Sequence, residues 1–316
     1  MSLHVVVGFG PAGAATARLL AAQGHSVRVV TKSGRGPEPG IEHIALDMLD
    51  TADSKRLIDI AQDATALYSC GAPPYPRWAS EWPPMAASLC AAAEATGAVL
   101  VMLGNLYGYG PVDGPMTEEM PLAATGPKGR VRAAVWELAR QLHELGRIKA
   151  VELRASDFFG PGVTDGGHLA GRVVPRLLRG KPVSTLGDPD APHSWSYVPD
   201  VARALVEVAG DARAWGRAWH VPTAPPLSTR EMVDRLAGQA GTGPVAVRRL
   251  PPAVVRVASF VSPLLRELDE IRYQFDRPFV VDSSAYEAQL TVRATPVEEQ
   301  IEATVAWWRD RLNTTG

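Results

Sequence analysis

Residues 3–13, Leu-His-Val-Val-Val-Gly-Phe-Gly-Pro-Ala-Gly, carry the reading from which the rest of the chain follows. Leu3, Val5, Val6 and Val7 make an apolar run broken only by His4, which predicts a strand buried on both faces. Gly8-Phe9-Gly10-Pro11-Ala12-Gly13 follows at once, and residues 14–23 have helix composition. Strand, G-x-G-x-x-G and helix in that order predict a dinucleotide site; without that context the six residues are only a Gly-rich turn. Gly8 would make the tight turn, Gly10 would admit a pyrophosphate, and Gly13 would let helix and strand close together. The helix N-terminus would aim its amides at the phosphates.

The turn after a second predicted strand, 27–30, bears on the choice of cofactor. NAD-binding proteins usually place an acidic side chain near this turn for the ribose 2′-hydroxyl. Here it reads Thr31-Lys32-Ser33-Gly34-Arg35. Two hydroxyls and two cations suit a 2′-phosphate, so NADP is expected ahead of NAD. A solvated basic loop is the plainer alternative.

Further strands are expected at 41–46, 65–69, 98–103, 150–153 and 218–221. Helices are expected at 53–61, 85–96, 128–145, 198–208, 228–240 (capped by Ser228 or Thr229), 254–276 and 296–309. This alternation predicts an α/β fold, a Rossmann-type doubly wound parallel sheet. Residues 1–155 would form the dinucleotide-binding domain, with 196–222 returning to it. Residues 156–195 and 223–316 would build a smaller C-terminal substrate lobe. Asp47, Met48, Cys70, Gly71 and Ala72 end strands on the cofactor side, and Cys70 reads as small and buried rather than reactive.

Composition narrows the field. The chain has 316 residues, 46% apolar and 21% charged, with a net charge of −2. No basic field is present to hold nucleic acid or an acidic membrane. Two cysteines allow neither a disulfide framework nor a metal-ligand spacing, so no metal is expected. A strand at the very start leaves no signal-peptide pattern, and a reduced cytoplasm is the expected location.

The chain resembles the extended, atypical short-chain dehydrogenase/reductases of the NAD(P)-dependent epimerase/dehydratase family. The likeness rests on Gly8–Gly13, Asp47, Asn105-Leu106-Tyr107-Gly108, Thr117-Glu118-Glu119, Arg154 with Phe159-Gly160-Pro161-Gly162, 195–201 (WSYVPDV) and Trp219-His220-Val221-Pro222. It implies an NAD(P) lobe, a substrate lobe, and often a homodimer through two long helices, here 85–96 and 128–145. It also exposes departures. The usual glycine spacing is wider, GxxGxxG. The usual catalytic Tyr and Lys, four apart on the long helix, fall on Lys128 and Arg132. The usual Ser or Thr falls on Leu103, beside Gly104 and Asn105.

Lys128 and Arg132 would then share one helix face. A neighbouring cation and partial burial would lower the Lys128 pKa toward a general-acid range, with Arg132 holding ribose hydroxyls. The alternative is a pair of surface cations. Tyr107 and Tyr109 could replace the missing phenol or pack beneath their loop. Asn105 could bind a substrate carbonyl or cap the strand. Tyr75, Arg77, Trp78, Asp157, Phe158, His193 and Trp195 are candidate pocket residues, each with a structural alternative. The sequence points first to an NADP(H)-dependent oxidoreductase reducing a carbonyl or conjugated carbonyl on a small molecule. The rivals are an NDP-sugar epimerase or dehydratase and a non-catalytic nucleotide-binding sensor or scaffold.

Overall fold

The computed structural model describes residues 1–36, 38–164, 167–251, 253–255, 260 and 263–314. Seven strands form one parallel sheet: β1 (Leu3–Val7), β2 (Ser26–Thr31), β3 (Ile41–Ala45), β4 (Ala64–Ser69), β5 (Val99–Asn105), β6 (Lys149–Ala155) and β10 (Ala218–His220). Their spatial order is β3-β2-β1-β4-β5-β6-β10, and every pairing is parallel. Helices α1 (Pro11–Ala22), α2 (Thr51–Ile60), α3 (Trp78–Thr96), α4 (Pro127–Glu144) and α6 (Val198–Gly210) provide the connections.

The central strands run apolar because both faces are covered. Val5, Val7, Leu67, Leu100 and Met102 pack with α3 and α4 residues in one core. Val6, Val29, Tyr68, Val101 and Leu153 pack in a second core with α1 and α6 residues. The chain runs from β1 out to β3 and then returns to pair β4 with β1. That reversal opens a crevice at the carboxyl ends of β1 and β4, where ligands of open α/β sheets bind.

A third core lies among the later elements, including α5 (Val174–Leu177), α7 (Thr229–Ala240) and α11 (Val297–Thr314). Two-stranded ribbons join β7 (Asp157–Phe159) to β9 (Trp195–Tyr197) and β8 (Val183–Thr185) to β11 (Val247–Arg249). A capping box starts α7: Ser228 accepts from Glu231 N, and the Glu231 carboxylate accepts from Ser228 N. At α6, the fully buried Asp200 accepts from the Thr295 backbone N and hydroxyl at 2.7 and 2.6 Å. This contact ties the segment before α11 to the sheet.

Two helix expectations need correction. The helix expected from residue 85 begins at Trp78 and runs through Pro83 and Pro84. These prolines remove donors for the carbonyls of Ala79 and Ser80. All four residues are exposed, so water meets the freed carbonyls, while Trp78, Trp82 and Met85 bury the opposite side. The helix expected over 254–276 falls partly outside the described residues. The remainder includes two short helices, α8 (Pro263–Leu268) and α9 (Tyr273–Asp276), separated by residues 269–272. One more helix, α10 (Ser284–Gln289), precedes α11. Among the described residues, no helix is long and apolar enough to cross a membrane.

Candidate functional site

Gly8, at the end of β1, has φ +98°, and a Cβ there would lie 2.3 Å from Gly71 N. A Cβ on Gly13 would lie 2.1 Å from the Gly8 carbonyl oxygen. Both positions therefore need glycine to bring β1, β4 and α1 together. Gly10 differs: a Cβ there meets nothing within 4 Å, so the space in front of it is open. Gly10 is the N-cap of α1, Pro11 opens the helix, and no side chain caps it. The first helical bond beyond the cap runs from Ala14 N to Gly10 O at 2.9 Å. The amides of Ala12 and Gly13 stand ahead of it, ready for an anion. Two tight glycines and one open one make a cradle that fits a dinucleotide pyrophosphate.

Phe9 and Cys70 flank the cradle, and Gly71 and Ala72 continue from Cys70. The Phe9 ring meets His43 edge-on at 4.8 Å. Burial pushes the Cys70 thiol up to about 12, which leaves it unreactive at neutral pH. After β2, Thr31 Oγ1 accepts from Gly34 N, and Ser33 Oγ accepts from Arg35 N. Lys32 Nζ lies 2.6 Å from Asp47 Oδ2, and Arg35 is exposed. Met48 is buried in the sheet core, beneath the loop that carries Asp47.

A second group of side chains gathers past the carboxyl ends of β4, β5 and β6. Tyr75 stacks on Trp78 at 4.8 Å, and Trp78 on Tyr107 at 5.9 Å. The Trp78 indole donates to the Pro73 carbonyl, which fixes this wall. The Tyr75 and Tyr107 hydroxyls lie 2.8 Å apart. Burial raises both phenols, Tyr107 well above the ordinary range, so both are neutral donors. Asn105 accepts from Tyr107 N at 3.2 Å and so shapes the turn carrying that tyrosine. Arg77, at the rim, pairs with Glu81 at 2.9 Å.

Gln274, 2% exposed and beside the Tyr107 hydroxyl, extends the group from α9. Beyond it, His193 Nε2 is 2.9 Å from Asp157 Oδ2. Burial opposes ionisation of Asp157, but His193 and His168 outweigh it and hold the carboxyl below the usual range. Burial takes His168 down to about 4. Its ring stacks on Phe275 at 4.8 Å. Trp195 is 4.5 Å from the His193 ring and donates its indole N–H to the Leu227 carbonyl. Phe158 is partly buried against the second core. Among the described residues, no cluster of His, Cys, Asp or Glu is arranged to hold a metal.

One expectation is corrected here, and two residues fall on one side of their stated alternatives. The Lys128 pKa is raised, not lowered. Burial alone would lower it, but Glu267 at 2.5 Å and Glu270 at 3.1 Å outweigh that effect. These carboxylates come from and just after α8, and Glu270 also accepts from Lys128 N at 2.8 Å, capping α4. Nor is the Arg132 guanidinium an idle surface cation. It donates to the Leu103 carbonyl at 3.0 Å and sits 4.2 Å from the Trp82 ring, 5% exposed. Finally, Tyr109 packs beneath its loop, the second of its two readings. It is 2% exposed, accepts from Arg154 at 2.6 Å and lies 2.8 Å from His220 Nε2. Glu152 links Arg154, at 2.7 Å, with Arg132, at 3.8 Å, so this buried polar chain crosses the sheet edge.

A sequence model of the NAD dependent epimerase/dehydratase family matches residues 5–221, from β1 through the end of β10. The chain belongs to this family. A curated dTDP-glucose 4,6-dehydratase from Neisseria gonorrhoeae is 29% identical over 109 residues, covering 33% of this chain and 29% of that protein. The match thus spans less than a third of that relative's length. The fold is shared over nearly the whole chain with solved structures. A dTDP-glucose 4,6-dehydratase from Bacillus anthracis in complex with NAD has TM-score 0.80 and 16% identity, over 99% of this chain and 98% of that one. A double mutant of the same enzyme from Streptomyces venezuelae, also with NAD, has TM-score 0.79 and 20% identity over the same shares. A UDP-glucuronic acid 4-epimerase from Bacillus cereus, again with NAD, has TM-score 0.76 and 16% identity, over 98% of this chain and 99% of that one.

Proposed function

We propose that the chain is a nicotinamide-dinucleotide-dependent oxidoreductase, preferring NADP(H), that reduces a carbonyl or conjugated carbonyl on a small molecule. The observation carrying this reading is the open space in front of Gly10, framed by two glycines that tolerate no side chain. Gly8, Gly10 and the amides of Ala12 and Gly13 would hold the pyrophosphate, and Thr31, Lys32, Ser33 and Arg35 the adenosine 2′-phosphate. Bound there, a reduced nicotinamide supplies hydride. The NAD-bound neighbours support a dinucleotide in this crevice, and the 2′-phosphate preference rests on the cationic turn.

Reduction also needs a proton at the nascent alkoxide. The Tyr75–Tyr107 hydroxyl pair is the proposed donor, because the two phenols meet past the strand ends; burial keeps both protonated and makes each a weaker acid than a free phenol. Lys128 and Arg132 act by position: one pins the α8–α9 segment to α4, and the other braces β5. Residues 156–195 and 223–316 would form the substrate-binding lobe.

The sensor reading draws on one specific observation: at the family's Tyr and Lys positions, Lys128 is held by Glu267 and Glu270, and Arg132 donates to the Leu103 carbonyl. NADPH and NADH titrations, followed by nucleotide fluorescence, test the cofactor assignment. NADPH should bind at least about tenfold more tightly, a preference that Lys32→Ala/Arg35→Ala removes. NADPH consumption over a panel of aldehydes, ketones and enones separates enzyme from sensor. Tyr107→Phe should lower turnover by about 10²-fold or more while leaving nucleotide affinity unchanged. Equal affinity for the two nucleotides, or an active Tyr107→Phe, refutes the corresponding assignment.

A further inference from the structure

Tyr107 opens a short 3₁₀ turn, Tyr107–Tyr109, whose other end is tied into the interior. Such turns have poor hydrogen-bond geometry, so their flanking contacts decide how firmly they sit. On the α4 side the contacts are to backbone: Ala124 N donates to the Gly108 carbonyl at 3.0 Å, and Gly129 lies so close that a Cβ there would be 2.4 Å from the Tyr107 carbonyl oxygen. On the sheet side the contact is the Tyr109 side chain.

The partners of Tyr109 fix where each proton lies. Arg154 has donors and no acceptor, so the Tyr109 oxygen accepts from it, at 2.6 Å. Beyond Tyr109, His220 Nδ1 is 2.8 Å from the Asp282 carbonyl oxygen, which has no hydrogen to give. Nδ1 therefore carries the proton of a neutral ring, and Nε2 accepts from the Tyr109 hydroxyl at 2.8 Å. The chain Arg154, Tyr109, His220, Asp282 is complete and dry, with Tyr109 2% and His220 0% exposed. It also reaches the C-terminal portion. Asp282 ends a segment whose Phe279 carbonyl accepts from Ser194 N, and Asp282 N donates to the Met116 carbonyl.

Three charged groups face His220. Glu118 Oε1 accepts from His220 N at 2.9 Å, with Oε2 3.9 Å from Nδ1; Arg154 stands behind Tyr109, and the Asp282 carboxylate is nearby. Burial, reinforced by Arg154, outweighs the two carboxylates and holds the imidazole below the usual histidine range. A proton on Nε2 would leave the Tyr109 hydrogen facing a donor and set an imidazolium beside the Arg154 guanidinium.

We infer that His220 is a positioning residue: its neutral ring seats Tyr109, and through Tyr109 it fixes the turn from which the Tyr107 hydroxyl meets the substrate. The inference rests on the reading of Tyr107 as proton donor for its catalytic meaning, and on the buried chain for its mechanics. Because the seat needs an unprotonated Nε2, Tyr107 loses its place as pH falls through the His220 midpoint, which lies below 6.5. Small displacements of a catalytic group are costly, so the loss should appear in kcat rather than in nucleotide affinity.

The test uses the full chain labelled with nitrogen-15 in histidine and with carbon-13 at the tyrosine ζ position, with single substitutions assigning the His220 and Tyr107 signals. At neutral pH the nitrogen spectrum should show His220 as the Nδ1–H tautomer. As pH falls below about 6.5, the Tyr107 signal should move with the His220 midpoint, and Tyr109→Phe should abolish that shared titration. His168 and His193 are followed in the same spectrum, so any field they exert on Tyr107 is recognised by surviving in Tyr109→Phe. Two variants at neutral pH decide the matter if acid unfolds the chain first. Tyr109→Phe, and His220→Asn, whose amide can still donate to the Asp282 carbonyl, should both displace the Tyr107 signal in protein that circular dichroism shows to be folded. With NADPH and the best carbonyl substrate, Tyr109→Phe should lower kcat by at least about tenfold while NADPH affinity stays within about twofold. An Nε2–H tautomer overturns the inference. So does a Tyr107 signal that ignores the His220 midpoint, or one unmoved in both folded variants. Absence of NADPH turnover in the wild-type chain refutes the oxidoreductase reading alone, because the spectra need no substrate.

Discussion

Replacing Lys128 with Met separates a positioning role from a chemical one. Met retains most of the apolar stem and removes the ammonium. The wild-type group is 5% exposed and contacts Glu267 at 2.5 Å and Glu270 at 3.1 Å. Removing one member of a fully buried pair costs about 3–5 kcal/mol, because the remaining charge stays buried. Here the two carboxylates are 26% and 20% exposed, and water can reach them. Exposed pairs contribute about 0–1 kcal/mol. An intermediate loss of about 2 kcal/mol follows, and Glu270 still caps Lys128 N. For a chain of 316 residues that is a fall of about 3 °C in Tm. The assay is a pair of melts, thermal and in urea, with NADPH affinity and turnover of the best carbonyl measured alongside. Affinity should stay within about twofold and turnover within about tenfold, whereas loss of a general acid costs about 10²–10⁴. An unchanged Tm refutes the clamp. A 10²-fold turnover loss at normal stability and affinity returns Lys128 to the chemistry.

Three other outcomes follow from the geometry. Gly10→Ala should fold normally and lose at least about tenfold in NADPH affinity, whereas Gly8→Ala and Gly13→Ala should lower Tm, since each Cβ would fall within 2.4 Å of backbone. Tyr109→Phe should cost about 2–4 kcal/mol in urea unfolding without altering cofactor affinity, because Arg154 and His220 each lose a buried partner. His168, held near pH 4, binds its proton later on acidification than it does in the unfolded chain. Stability should therefore fall as pH drops from about 6.5 toward 4, with a slope approaching about one proton, and His168→Phe should flatten that limb in pH-dependent urea melts.

The central strands were legible because they are covered on both faces and so appear as near-continuous apolar runs, unlike the partly exposed edge strand β3. Three-residue strands such as Asp157–Phe159 and Trp195–Tyr197 are too short to show a period. The start of α3 is not evident locally, because Pro83-Pro84 remove two helical donors; burial of Trp78 and Trp82 holds the helix across them. The glycine cradle was readable from the order strand, G-x-G-x-x-G, helix, since the Gly8–Gly13 approach that excludes a side chain lies within the motif itself. The environment of Lys128 was not. Its partners lie 139 and 142 residues away, and nothing near Lys128 reports them. The lowered pKa argued from Arg132 weighed only the local helix, and tertiary carboxylates reversed its sign. Gln274 was missed for the same reason. The loop left Tyr109 open between the pocket and packing, because its hydroxyl is taken by residues 45 and 111 positions away.

The proline pair in α3 has a consequence beyond its boundary. The turn holding Trp78 is joined to the rest of that helix across two missing amide donors. Its aromatic plate is therefore held to the rod along the sheet by shared core packing more than by a full set of helical hydrogen bonds. Exchanging residues 75–82 could re-tailor which molecules this scaffold accepts while its nucleotide crevice stays as it is.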